Sequence, residues 1–255
     1  MKRILTAAAL IPIVVYVVLW ANFWVFFAVL VTVAFLCYRE FDAVAEAYGF
    51  GPPGPLGYGA GLLLLVSRQE TWLLILGLAL ILMAAAMRRE DLAKALPRAA
   101  VLLAGIVYIF GSWKCAMPLR ELNPHWLMYG LLVNWAGDMG AYYVGRRWGR
   151  HKMAPRISPH KSWEGAVASV VASVLIAGAY LLHFVPWVAV LQAVALTVAA
   201  NAAGQLGDLT ESALKRGAGL KDSGVILPGH GGFLDRVDST LFSLPLIYAY
   251  LKLAG

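Results

Sequence analysis

The sequence predicts an all-α, polytopic integral membrane protein of about nine transmembrane helices with a cytoplasmic N-terminus. Three observations carry that expectation. Of the 255 residues, 61% are apolar and 14% charged, with a mean hydropathy of +0.72, whereas soluble domains hold about 25% charged residues. Long apolar runs alternate with short charged connectors; this is the pattern of helices, since barrel strands would read as short alternating segments. The basic residues are also spread unevenly over the connectors, as charge bias across a membrane requires.

The first run, 4–20, follows Lys2 and Arg3. A short basic stretch joined to an apolar one also opens a secretory signal, but no small-residue cleavage site precedes the second run, 22–38, so a retained helix is expected. The breaker-rich segment Gly-Phe-Gly-Pro-Pro-Gly-Pro introduces the third run, 55–67, which is the shortest. Runs at 71–87, 97–112, 126–145, 163–183, 186–206 and 237–253 complete the set. Several fall below the ~20 residues of an average span, and charge decides whether they cross. With nine crossings, 17 of the 21 basic residues lie on the cytoplasmic side and only Arg68, Lys114, Arg120 and Lys252 lie opposite. Were the third run not to cross, the split would become 7 inside to 14 outside, which the positive-inside rule rejects.

The remaining bulk features exclude more than they assign. Cys37 and Cys115 supply neither a disulfide framework nor a metal ligand set. The net charge of +7 follows from topology and calls for no nucleic-acid partner; basic cytoplasmic loops lie against anionic lipid. The nine tryptophans read mostly as interface anchors. Residues 1–95 read as generic N-terminal transmembrane helices, and 96–255 as a C-terminal region that holds the polar clusters.

The larger cluster runs from Ser212 to Asp238. It gathers Lys215, Arg216, Lys221 and Arg236 with Asp222, Asp235, Asp238, His230 and a set of glycines, in a segment too polar for lipid and too short for a domain. Basic side chains neutralise phosphate oxygens, glycines let backbone N–H groups approach an anion, and carboxylates hold a hard cation such as Mg²⁺. The plainer alternative is a cytoplasmic loop obeying the positive-inside rule. Asp208 closes the eighth run while Asp235 and Asp238 open the ninth, so the three sit at one interface. At helical spacing Asp208, Glu211 and Ser212 share a face, as do Asp235 and Asp238. Glu211 with Lys215 is better read as an i,i+4 pair than as part of a ligand set.

The smaller cluster spans Trp135 to Gly165. Asp138 stands inside an apolar run, where a carboxylate faces either a functional cavity or a compensating Arg or Tyr on a neighbouring helix. The connector after it supplies Arg146, Arg147, Arg150, Lys152, Arg156 and Lys161, a basic surface suited to nucleotide phosphates or to lipid headgroups.

The residues Ser212, Lys215-Arg216, Lys221-Asp222, Gly224, Pro228, His230-Gly231-Gly232, Asp235-Arg236 and Asp238 together resemble the motif of the phosphatidate cytidylyltransferase family, the CDP-diacylglycerol synthases. Asp138, Gly140 to Tyr142, Gly145-Arg146, Ser158-Pro159 to Glu164-Gly165 and Gly207-Asp208 resemble it too. The resemblance covers about the last half of the chain. One departure is His160, where many relatives carry a second lysine before Lys161.

The resemblance implies transfer of CMP from CTP to phosphatidic acid, giving CDP-diacylglycerol and pyrophosphate, in a bacterial inner membrane with the active site facing the cytoplasm. It implies Mg²⁺, with a possible second cation, and a homodimer. Asp208 and Asp235 are the first metal ligands it points to, followed by Asp138 and Asp238. Lys215, Arg216, Lys221 and Arg236 become phosphate contacts. Ser158, Lys161, Ser212, Asp222, His230, Gly231 and Gly232 become substrate-binding residues, with Asp222 either reading cytosine or orienting Lys221. His230 would donate to phosphate, stack on the base or brace the loop. Other CTP-using lipid enzymes, a transporter with Asp138 as ion site, and a lipid-binding scaffold are the competing readings. Inverted repeats and broken helices, which a transporter calls for, are not evident.

Overall fold

The computed structural model describes residues 2–50, 54–67, 71–86, 92–226 and 231–254. Among them the chain forms nine helices, a short 3-10 turn (Leu92–Lys94) and one hairpin. They are α1 (Lys2–Leu19), α2 (Phe23–Ala47), α3 (Pro55–Val66), α4 (Thr71–Ala86), α5 (Ala95–Leu122), α6 (Pro124–Trp148), β1 (Lys152–Ala154), β2 (Ser158–Ser162), α7 (Trp163–Phe184), α8 (Val190–Gly217) and α9 (Leu234–Ala254). Each of the nine apolar runs coincides with one helix. Four helices, α2, α5, α7 and α8, are long and apolar enough to cross a membrane by length and composition; stretches of α1, α3 and α4 form shorter apolar helices. His230 and Pro228 lie outside the described residues.

The expected all-α fold is interrupted by the antiparallel hairpin β1–β2, paired Lys152 with Ser162 and Ala154 with Ser158. Its strands are too short for alternation to show in the sequence. It closes the turn between α6 and α7, and Ser162 ends it by accepting the Gly165 N–H at 3.2 Å as the N-cap of α7. Asn123 likewise caps α6, with Pro124 at its first position.

Small residues set the closest helix contacts, as they do where lipid gives no hydrophobic drive to pack. A Cβ on Gly140 would sit 2.6 Å from the carbonyl oxygen of Ala168, which fixes α6 against α7. One on Gly207 would sit 2.6 Å from the carbonyl oxygen of Asp238, which fixes α8 against α9. The core is continuous through both halves of the chain, from Phe26, Tyr38 and Leu64 to Trp126, Tyr129 and Leu244. Many large apolar side chains face outward instead, among them Leu80, Leu175 and Leu191. That is a lipid-facing surface rather than that of a soluble monomer. Exposed tryptophans stand near helix ends, Trp20, Trp24 and Trp187 towards one side and Trp148 and Trp163 towards the other, as interfacial anchors do.

At the side where α1, α3 and α5 end, Arg120 Nε donates to the Val18 carbonyl at 2.8 Å and its Nη2 to that of Ala21. Lys114 Nζ donates to the Leu64 carbonyl at 2.8 Å and to Ser67. Two of the four basic residues that break the charge bias therefore neutralise carbonyls at helix C-termini.

Candidate active site

The opposite side of the bundle collects the C-terminal ends of α2, α6 and α8, the start of α7 and α9, and the hairpin. A cavity of about 590 Å³ opens there, with Asn134, Asp138 and Arg146 from α6, Lys152, His160 and Lys161 from the hairpin, and Asn201, Gln205 and Asp208 from α8 in its wall. The helical spacing expected at Asp208 holds: Ser212 Oγ donates to Asp208 Oδ1 at 3.3 Å. Across the cavity Lys161 Nζ meets Asp208 Oδ2 at 2.5 Å. Asp138 lies within electrostatic reach of Asp208, Lys161 and Arg236, and Asp238 within reach of Asp208, Glu211 and Asp138.

A second charged group adjoins the first. Lys215 pairs with Glu211 one turn back and with Asp235 at the start of α9. Asp235 also accepts from the N–H groups of Gly232 at 2.8 Å and Ser223 at 3.0 Å. Its two oxygens thus hold the α8–α9 loop to α8. Gly231 has a φ of 78°, a left-handed conformation that glycine adopts without strain. The tight backbone approach expected at Gly231 and Gly232 is made to carboxylates, those of Asp235 and Glu40.

The four aspartates foreseen at a metal therefore fall into two sets. Asp138, Asp208 and Asp238 form a mutually repelling trio near the cavity; Asp235 belongs to the Lys215 clamp. Among the described residues no three acidic, His or Cys groups converge tightly enough to hold an ion. The donor chemistry nonetheless suits a hard cation. Asp138 and Asp208 stand in the cavity wall within electrostatic reach of Asp238, and Glu211 Oε1 is buried without a hydrogen-bond partner among the described residues.

Other expected residues are placed differently. Ser158 sits at the far end of the hairpin opposite Ala154 and is not in the cavity wall. Arg216 points outward and braces the loop, donating to the carbonyls of Leu220 at 3.0 Å and Ile157 at 3.4 Å. Lys221 and Asp222 are exposed on the same loop.

Three cavity residues were missed by sequence reasoning. Asn201 Nδ2 donates to Ser169 and Ser173, both at 2.9 Å, joining α8 to α7. Gln205 Nε2 donates to Asn201 Oδ1 at 2.6 Å. Asn134 Nδ2 donates to Ser243 at 2.8 Å and Thr240 at 3.2 Å, joining α6 to α9. The available signal was spacing: Asn134 lies one turn before Asp138 and Asn201 two turns before Asp208, and both asparagines stand inside apolar runs.

Fold and site together define a helical membrane protein with an acid- and base-lined cavity at one end of its bundle. The chain belongs to the cytidylyltransferase family, whose pattern it matches over residues 1–254. It is similar to the phosphatidate cytidylyltransferase of Staphylococcus saprophyticus, 43% identical over 150 residues, which is 58% of this chain and 57% of that one. The enzymes of the same name from Staphylococcus haemolyticus, 43% identical over 154 residues (58% and 57%), and Bacillus subtilis, 40% over 150 residues (58% and 56%), are similar too. The matched part of the chain spans a little over half the length of these relatives.

Proposed function

We propose that this protein is a phosphatidate cytidylyltransferase, which makes CDP-diacylglycerol and pyrophosphate from CTP and phosphatidic acid. The observation that carries the reading is the cavity in which Lys161 faces Asp208 beside Asp138 and Asp238, in a chain similar to enzymes of that name. A lipid phosphate is already anionic near neutral pH, so the reaction needs no general base. An oxygen of that phosphate attacks the α-phosphorus of CTP, the bond from that phosphorus to the bridging oxygen breaks, and pyrophosphate leaves. The difficulty is bringing two anions together. Lys161, Lys152 and Arg146 line the cavity and would neutralise and align the phosphates, as positioning and electrostatics do in phosphoryl transfer generally.

Asp138, Asp208 and Asp238 would hold Mg²⁺, together with Asp235, which the resemblance ranks with Asp208 as a first ligand, and a second cation belongs to the same reading. When bound, the cation neutralises triphosphate charge and the departing pyrophosphate. Arg216 at the end of α8, Lys221 and Asp222 on the adjoining loop and Arg236 at the start of α9 would meet the nucleotide from the solvent side.

The topology in this reading has nine crossings, a cytoplasmic N-terminus and the cavity facing the cytoplasm of a bacterium, with the enzyme in the inner membrane as a homodimer. Contacts support the crossings. Glu40, late in α2, and Tyr48, its C-cap, meet the loop and the end of α8, whereas the ends of α1 and α3 meet Arg120 and Lys114 late in α5. Those pairings support a crossing by α3.

Pyrophosphate release by the purified protein in detergent tests the assignment. Release is expected only with CTP and phosphatidic acid together, lost in EDTA and restored by Mg²⁺. Pyrophosphate release with ATP, or with a polyprenol in place of phosphatidic acid, would point to a different nucleotidyltransferase, and release of CDP instead of pyrophosphate would point to a lipid kinase.

A further inference from the structure

Glu40 lies on α2, in the half of the chain whose runs read as generic spans, and is only 3% exposed. Its carboxylate is fully used by the segment ahead of α9. Oε1 accepts from the Phe233 N–H at 3.0 Å; Oε2 accepts from the Leu234 N–H at 2.8 Å and from the Ser223 hydroxyl at 2.9 Å. A buried acid is costly unless satisfied, and here the compensation comes from the start of α9, where unpaired N–H groups and the helix dipole favour negative charge. The loop has a shape to match. A Cβ on Gly224 would lie 2.6 Å from Glu40 Oε1, and Gly232 also passes directly over the carboxylate.

The same segment is gripped from its other side by Asp235. Ser223 gives its hydroxyl to Glu40 and its N–H to Asp235; Gly232 gives its N–H to Asp235, while Phe233 and Leu234 give theirs to Glu40. Two carboxylates 195 positions apart in sequence thus share one strap. Tyr48, two turns beyond Glu40, extends the bracket by donating its hydroxyl to the Leu214 carbonyl at 2.8 Å.

We propose that Glu40 is a positioning residue for the site, holding the loop and the first turn of α9 so that Asp235 faces Lys215 and Lys221 and Asp222 reach the nucleotide. The activity arm of its test rests on the function proposed above; a protection arm does not. Glu40→Gln keeps volume but turns one acceptor into an NH₂ facing a backbone N–H. Gly224→Ala attacks the same contact from the loop without touching the packing of α2.

The experiment measures kcat and KM for CTP, and trypsin cleavage after exposed Lys221, on the full chain in detergent. Both variants are expected to lose ten- to hundredfold in kcat/KM, the scale of one buried unpaired donor. Cleavage should accelerate by a similar factor with the gel-filtration profile unchanged. Ser223→Ala should add little to Glu40→Gln, because both break one strap. Turnover within threefold of wild type with cleavage after Lys221 no faster than in wild type, in either variant, would overturn the proposal. So would a loss seen in Glu40→Gln alone, which would make Glu40 a packing residue of α2. If wild-type protein releases no pyrophosphate, the functional reading fails and trypsin protection alone decides the role of Glu40.

Discussion

Replacing Lys161 by Met separates a structural ion pair from a working one. The Lys161 and Asp208 side chains are 26% and 33% exposed. A pair that wet contributes about 1 kcal/mol or less to stability, so the variant should melt within a few degrees of wild type in detergent. If Lys161 neutralises phosphate in the transition state, the activity cost is much larger. Removing one preorganised electrostatic group costs about 2.7–4 kcal/mol, a factor of roughly 10² to 10³ in kcat. Asp208→Asn should show the same disproportion, through the loss of cation binding. The assay is initial-rate pyrophosphate release at saturating CTP and phosphatidic acid, beside a thermal melt of the same preparation. Turnover of Lys161→Met within threefold of wild type would refute the reasoning, because the pair would then be only surface electrostatics at a cavity mouth. A fall in activity matched by a fall in folded protein would refute it equally.

The Lys215 clamp predicts an asymmetry. Lys215→Met strands the buried acids Glu211 and Asp235 and should cost about 3–5 kcal/mol of stability, whereas Asp235→Asn leaves Lys215 paired with Glu211 and should cost less while abolishing turnover; paired melts and rates check both. Arg120→Ala and Lys114→Ala remove the C-terminal contacts of α1 and α3 at the far side, and each should lower stability by about 1 kcal/mol with kcat for pyrophosphate release unchanged.

How much of this was legible depended on which forces act locally. The helices were readable as apolar runs because a membrane demands them, but their polar ends were not. The second run ends at residue 38 and the eighth at 206, yet α2 continues to Ala47 and α8 to Gly217. Backbone hydrogen bonds carry a helix past the point where its side chains cease to be apolar, and those extensions hold Glu40, Asp208, Glu211 and Lys215. The resemblance pointed to Asp208, Asp235 and Lys215 because their types and spacing match its motif. It could not assign Asp235 to Lys215, Gly232 and Ser223, since that pairing depends on the loop's path. Glu40 left no local trace at all, because its partners lie 183 to 194 positions away.

That distance explains why the N-terminal helices matter to a site whose motif lies wholly in the second half. A polar loop between two helices, rich in glycine, has little apolar surface with which to hold one conformation, and ordering each residue costs about 1–2 kcal/mol of backbone entropy. Asp235 and Lys215 offset part of that from within the C-terminal region. Glu40 adds three hydrogen bonds from α2, whose own position is fixed by a buried core that includes Phe26, Leu30, Ala34 and Tyr38. The conformation of the loop is thereby tied to the packing of the bundle. Residues 1–95 and 96–255 are distinct in sequence character, but the strap between Glu40 and α9 makes the second depend on the first.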